Sequence, residues 1–166
     1  MAEEFARAGF YVLRCDLPYR QVRPTGPPFP GAAARDREGL QRAAEAMREI
    51  TPGLVILGGH SYGGRQATLL AAENPAIAHA LLLLSYPLHP PRKAEQLRTQ
   101  HFPRLRTPAL FIHGTRDPFG SLEEMSAAIA AIPARHQLVA IEKAGHELGA
   151  AAAAVILREA ECFANA

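Results

Sequence analysis

The stretch that decides the fold is Leu54-Val55-Ile56-Leu57-Gly58-Gly59-His60-Ser61-Tyr62-Gly63-Gly64. Its opening run of apolar residues suits a short strand covered on both faces, as in a parallel sheet. Within it, Gly59-His60-Ser61-Tyr62-Gly63 matches G-x-S-x-G. Residues 62–73 then show helical spacing, stopped by Asn74-Pro75. A strand, a glycine-flanked serine and a helix in immediate succession predict a sharp turn. Side chains two residues either side of the serine would collide there. Glycine at both places leaves Ser61 on a strained tip with its hydroxyl exposed. The next helix aims its N-terminus at the same spot, where its dipole favours a developing negative charge. A plain glycine–serine turn is the competing reading of the pentapeptide alone.

On both sides of this stretch strand and helix alternate. Residues 2–8 read as a helix stopped by Gly9, and 10–15 (FYVLRC) as a strand ended before Pro18. Prolines and glycines make 18–34 a surface loop. Apolar residues at Leu40, Ala43, Ala44, Met47 and Ile50 predict a helix over 35–50. Further strands are expected at 80–84 (ALLLL), 109–113 (ALFIH) and 137–141 (QLVAI), with helices at 121–132 and 148–163. Ser121 followed by Glu124 fits a capping box. The expectation is a single α/β domain over 1–166, with a mostly parallel sheet of about five strands and helices on both faces. Between 84 and 109 lie about two dozen residues, too few for a helical cap domain.

Composition narrows the class. Of 166 residues 48% are hydrophobic, which removes disorder from consideration for most of the chain. With 18 Lys plus Arg against 16 Asp plus Glu, the net charge is +2, and the arginines are scattered, so no nucleic acid is expected as partner. Cys15 and Cys162 stand far apart with no metal-ligand spacing, as expected of thiols in a reducing compartment. No apolar leader and no spanning stretch is visible, so a soluble cytoplasmic protein without a membrane partner is expected.

In open α/β sheets ligands bind beyond the carboxyl ends of the strands. After 109–113 comes Gly114-Thr115-Arg116-Asp117-Pro118-Phe119-Gly120, and after 137–141 comes Glu142-Lys143-Ala144-Gly145-His146-Glu147. Alone, Asp117 reads as a turn residue and His146 as an exposed one. Together, a serine, an acid and a base each follow a different strand and should converge on one sheet edge. A serine hydroxyl is a poor nucleophile near neutrality. It needs an imidazole to take its proton and a carboxylate to fix that imidazole's tautomer. Competing motifs fail. His146-Glu147 begins like HExxH, but position 150 is Ala150, so no zinc site is expected. The glycines at 58–64 are not followed by Lys-Ser/Thr, which excludes a P-loop, and no G-x-G-x-x-G spacing occurs. No metal or other cofactor is expected.

These residues resemble the α/β-hydrolase superfamily, and most nearly a small branch related to dienelactone hydrolases. That branch includes testis-expressed hydrolase-like proteins and the hydrolase-like domain of a subunit of a non-specific-lethal histone acetyltransferase complex. The resemblance rests on Gly59-His60-Ser61-Tyr62-Gly63-Gly64-Arg65, Leu84-Ser85-Tyr86-Pro87-Leu88-His89-Pro90-Pro91, His113-Gly114-Thr115-Arg116-Asp117-Pro118-Phe119-Gly120 and Gly145-His146. It implies Ser61 as nucleophile, Asp117 as acid, His146 as base and the Tyr62 backbone N–H as one oxyanion donor. The front departs from the family pattern. Members begin with a strand and a His-Gly-type loop that supplies a second oxyanion donor, and that strand lies between the equivalents of 10–15 and 54–57. Here it is missing. Either those two strands pair directly, or the chain is a truncated α/β-hydrolase fold whose true start lies upstream of Met1, which is the favoured expectation.

Tyr86, Leu88 and Phe119 are candidate substrate-binding walls of an open site, with ordinary packing as the other reading of all three. The expected function is hydrolysis of ester or related acyl bonds on a small-molecule acyl substrate, with activity impaired by the missing strand. The alternative is a non-catalytic α/β-hydrolase-like interaction module. The sequence carries no signal for an oligomeric state.

Overall fold

Runs of helix formers bounded by glycine or proline, alternating with short apolar runs, set the order of elements in the computed structural model, which describes residues 1–164. Helix α1 (Ala2–Arg7) ends before Gly9, whose φ of 93° lies in the left-handed region. A short helix α2 (Pro18–Val22) follows, with proline at its first turn, and then α3 (Ala32–Ile50). Next come β1 (Ile56–His60), α4 (Tyr62–Glu73), β2 (Ala80–Leu84), β3 (Ala109–Gly114), α5 (Leu122–Ile129), β4 (His136–Ile141) and α6 (Ala153–Ala164). The loop read at 18–34 thus contains α2 and the start of α3. Among the described residues no helix is long and apolar enough to cross a membrane.

The sheet has four parallel strands in the order β1-β2-β3-β4. Register aligns His60 with Leu84, Leu84 with Ile112, and Gly114 with Ile141. The carboxyl ends of all four strands therefore reach one edge, and the loops after β1, β3 and β4 leave side by side.

Alternation along the strands sends side chains to two cores. Leu81, Leu83 and Phe111 face Leu40 of α3, Leu70 of α4 and Met125 of α5. Ala80, Leu84, Leu110 and Ile112 face Ile156, Ala160 and Phe163 of α6, with Phe5 of α1 packed against them. Helices cover both faces, as the unbroken apolar strands require.

The expected strand at 10–15 does not form. That segment is irregular, and Tyr11, Val12 and Leu13 are 71%, 43% and 47% exposed. Aromatic and β-branched residues favour a strand only where a neighbouring strand takes up their backbone groups. The sheet ends at β1, and 10–15 pairs neither with it nor with any other described strand. The direct pairing that would have closed the gap is absent, and the sheet has four strands where five were expected.

Candidate active site

Ser61 sits where β1 turns into α4, with φ 52° and ψ −117°. That conformation is sparsely populated for a residue with a Cβ, and typically costs about 1–3 kcal/mol. The surrounding structure holds it there: the Ser61 N–H donates to the Leu84 carbonyl at the end of β2 (2.8 Å). Glycine permits the turn at two places. A Cβ on Gly59 would lie 2.6 Å from the Gly63 carbonyl carbon and the Gly64 nitrogen, and one on Gly64 would lie 2.8 Å from the Gly59 carbonyl oxygen. Gly63 meets nothing within 4 Å. The steric demand expected of Gly59 and Gly63 thus falls on Gly59 and Gly64, because the backbone of 59 crosses directly over that of 63–64.

Asp117 follows β3 on a tight turn, and its carboxylate accepts the Phe119 backbone N–H at 2.9 Å. The fully buried His113 donates from Nε2 to the Gly120 carbonyl (2.8 Å) and lies 3.8 Å from the Asp117 Oδ2. His146 stands on the loop after β4. That loop is tied to the Asp117 loop: Arg116 N–H donates to the Ala144 carbonyl (2.8 Å) and Lys143 N–H to Thr115 Oγ1 (2.9 Å).

The structure brings the three together. His146 Nε2 is 2.7 Å from Ser61 Oγ, and His146 Nδ1 is 2.9 and 3.0 Å from the two Asp117 oxygens. A carboxylate at Nδ1 requires the proton there, which leaves Nε2 to accept from the serine hydroxyl. The Asp117 side chain is fully buried, whereas that of His146 is 19% exposed. Burial alone would raise the Asp117 pKa. The hydrogen bonds from His146 and Phe119, with the charge of the two nearby imidazoles, outweigh it and hold the carboxyl below its ordinary range.

Tyr62 follows Ser61 at the first position of α4, where its backbone N–H has no intrahelical acceptor. Its side chain is anchored. The phenol donates to Asp36 Oδ2 at 2.8 Å, and the same fully buried carboxylate accepts the Tyr19 N–H at 2.9 Å. Burial, then the Asp36 carboxylate, push the Tyr62 hydroxyl well up, so it stays a donor. His60, on the other side of Ser61, contacts the base loop: its Nε2 lies 2.8 Å from the His146 carbonyl oxygen. Sequence reasoning passed over both Asp36 and His60. The signal for Asp36 was its spacing, since Ala32, Asp36, Leu40 and Ala44 form one buried stripe with an acid in it.

Of the three expected walls, Phe119 reaches the site, its ring centroid 4.3 Å from that of His146. Tyr86 and Leu88 do not. They are 1% and 0% exposed and belong to the α3–α5 core. Tyr86 packs on Phe102 and Phe111, and its hydroxyl donates to the Arg98 carbonyl (2.7 Å). The segment after β2 turns inward, so these two side chains face the core instead of the opening.

A family model described as an alpha/beta hydrolase domain matches residues 1–160. Among solved structures, a metagenome-derived lipolytic enzyme superposes with a TM-score of 0.74 at 19% identity, covering 99% of this chain and 85% of its own. A dienelactone hydrolase from Anabaena variabilis gives 0.64 at 22%, covering 86% of this chain and 63% of its own. A Thermus thermophilus protein gives 0.63 at 24%, covering 81% and 65%. The chain thus spans less than two thirds of the length of the last two, and at these identities the likeness is one of fold.

Proposed function

The chain belongs to the alpha/beta hydrolase domain family, and from that premise we propose that it is a serine hydrolase of ester or related acyl bonds, with Ser61 as nucleophile, His146 as base and Asp117 as the acid that orients it. The observation that carries this reading is the unbroken line from Asp117 through His146 to Ser61, with contacts of 2.9 and 2.7 Å. Such a line, on a strained turn at a helix start, has no structural need of a serine.

In this reading His146 Nε2 takes the hydroxyl proton as Ser61 Oγ attacks the carbonyl carbon of the substrate. The oxyanion that forms faces the Tyr62 N–H and the start of α4. Collapse breaks the bond to the leaving alcohol, which departs with the proton from His146. His146 then takes a proton from water, the hydroxide attacks the acyl-Ser61 carbonyl, and the acid leaves as Ser61 regains its proton. Asp117 keeps Nδ1–H pointed inward and stabilises the imidazolium formed in each half. Between β2 and β3 the described residues include no helix longer than a three-residue turn at Phe102–Arg104, so in this reading a small acyl substrate meets Ser61 directly, with Phe119 beside it.

The test is active-site labelling. A fluorophosphonate is expected to modify Ser61 and no other serine, with Ser61→Ala unlabelled and His146→Ala labelled far more slowly. Equal labelling of wild type and His146→Ala would overturn the mechanism. A chain that takes no label at Ser61 would instead be the non-catalytic interaction module.

A further inference from the structure

The mechanism above gives His60 no part, yet its position is unusual. It is the last residue of β1, immediately before Ser61, with an exposed side chain. Its Nε2–H donates to the backbone carbonyl of His146 at 2.8 Å, and the two imidazole centroids are 5.0 Å apart. Since β1 is the first strand of the sheet and His146 follows the fourth, this bond runs across the whole carboxyl edge.

The other ties of the His146 loop run elsewhere. Lys143 N–H, the Ala144 carbonyl and His146 Nδ1 all reach the loop that carries Asp117. They set the base relative to the acid. The base is set relative to the nucleophile by two contacts: the His146 Nε2 bond to Ser61 Oγ, and the His60 bond to the His146 carbonyl. The first of these is transient. Once the serine oxygen carries an acyl group it has no proton to donate, while His146 must still stand ready to activate water. A backbone latch from His60 persists through that interval. Both the neutral imidazole protonated at Nε2 and the imidazolium can make it.

We propose that His60 is a positioning residue whose Nε2–H, latched to the His146 carbonyl, holds the base over Ser61 and matters most while the serine is acylated. The proposal rests on the reading of Ser61 and His146 as the reacting pair. An exposed bond of this kind adds little to folding, so its loss should be felt in rate rather than in stability.

Two replacements separate the parts of the side chain. His60→Phe keeps an aromatic ring near His146 and removes the donor. His60→Gln keeps an N–H donor at comparable reach and removes the ring. With a short-chain p-nitrophenyl ester, His60→Phe is expected to lower kcat about 10- to 100-fold, with KM falling in step so that kcat/KM stays nearly unchanged, and with the thermal midpoint nearly unchanged, since misplacing a catalytic group by an ångström costs on this order. The pre-steady-state burst of p-nitrophenol should persist while the following phase slows, because deacylation carries the loss. His60→Gln should recover most of the rate. Wild-type turnover in His60→Phe would overturn the latch, as would a Gln variant as slow as the Phe variant. If the wild type itself takes no fluorophosphonate at Ser61, the reading of the site falls and the latch with it. If it takes the label and His60→Phe turns over normally, the latch alone falls.

Discussion

Asp117 shows how a single carboxylate is kept charged inside the protein. Burial works against ionisation, and three hydrogen bonds from two donors, His146 Nδ1–H and Phe119 N–H, outweigh it. Asp117→Asn keeps the shape but puts an amide N–H against Nδ1. That forces the His146 proton to Nε2, where it blocks the serine. The expected outcome is a fall in kcat of about 10⁴, read by steady-state ester hydrolysis. At this scale the sequence was informative where chemistry restricts residue type. Ser61, Asp117 and His146 could be selected because each follows a strand, and parallel strands put those positions on one edge. Tyr86 and Leu88 also follow a strand, and the same rule misplaced them. Strand position does not reveal that both of these side chains pack into the core instead.

Among the elements, α4 and β2 coincide with the expected 62–73 and 80–84 because each is bounded by a residue that cannot continue it: the strained Ser61, Asn74-Pro75 and the positive φ of Ser85. The capping box expected at Ser121 and Glu124 is present in both directions. The Ser121 hydroxyl accepts the Glu124 N–H (3.2 Å), and the Glu124 carboxylate accepts the Ser121 N–H (2.7 Å). Ser121→Ala is expected to cost about 1 kcal/mol in urea unfolding, the usual loss when a capping hydroxyl is removed. The strand at 10–15 was misread for a reason local pattern cannot supply. A helix satisfies its own backbone, but a strand depends on a partner contributed by another part of the chain, and no described strand lies next to this one.

At the scale of the whole molecule, stability is tied to pH through a histidine outside the site. His101 is 3% exposed, and its ring contacts Thr68 Oγ1 at 2.8 Å. Since the Thr68 hydroxyl already donates to the Arg65 carbonyl, His101 Nε2–H is the donor. Burial, then the charges of Arg65 and Arg104, lower its pKa from 6.5 to about 4. The unfolded chain therefore takes up a proton there that the folded one refuses. Stability is full above pH 6.5 and falls as pH drops toward 4, by at most about 3 kcal/mol from this residue. Urea midpoints at pH 7 and 4.5 should differ less in His101→Gln, which keeps a donor for Thr68, than in the wild type. The Asp117 carboxyl acts lower down, its contribution lost only as pH falls through its depressed value. A different consequence follows from the strand order, which repeats the order of the chain. During synthesis each strand can add to the one made just before it, so the sheet grows in the direction of translation. Ser61 is made first, the Asp117 loop follows, and the loop that carries His146 comes last of the three. A nascent chain that ends before β4 would, on the proposed reading of the site, carry the serine without its base, and so would take up no acyl group.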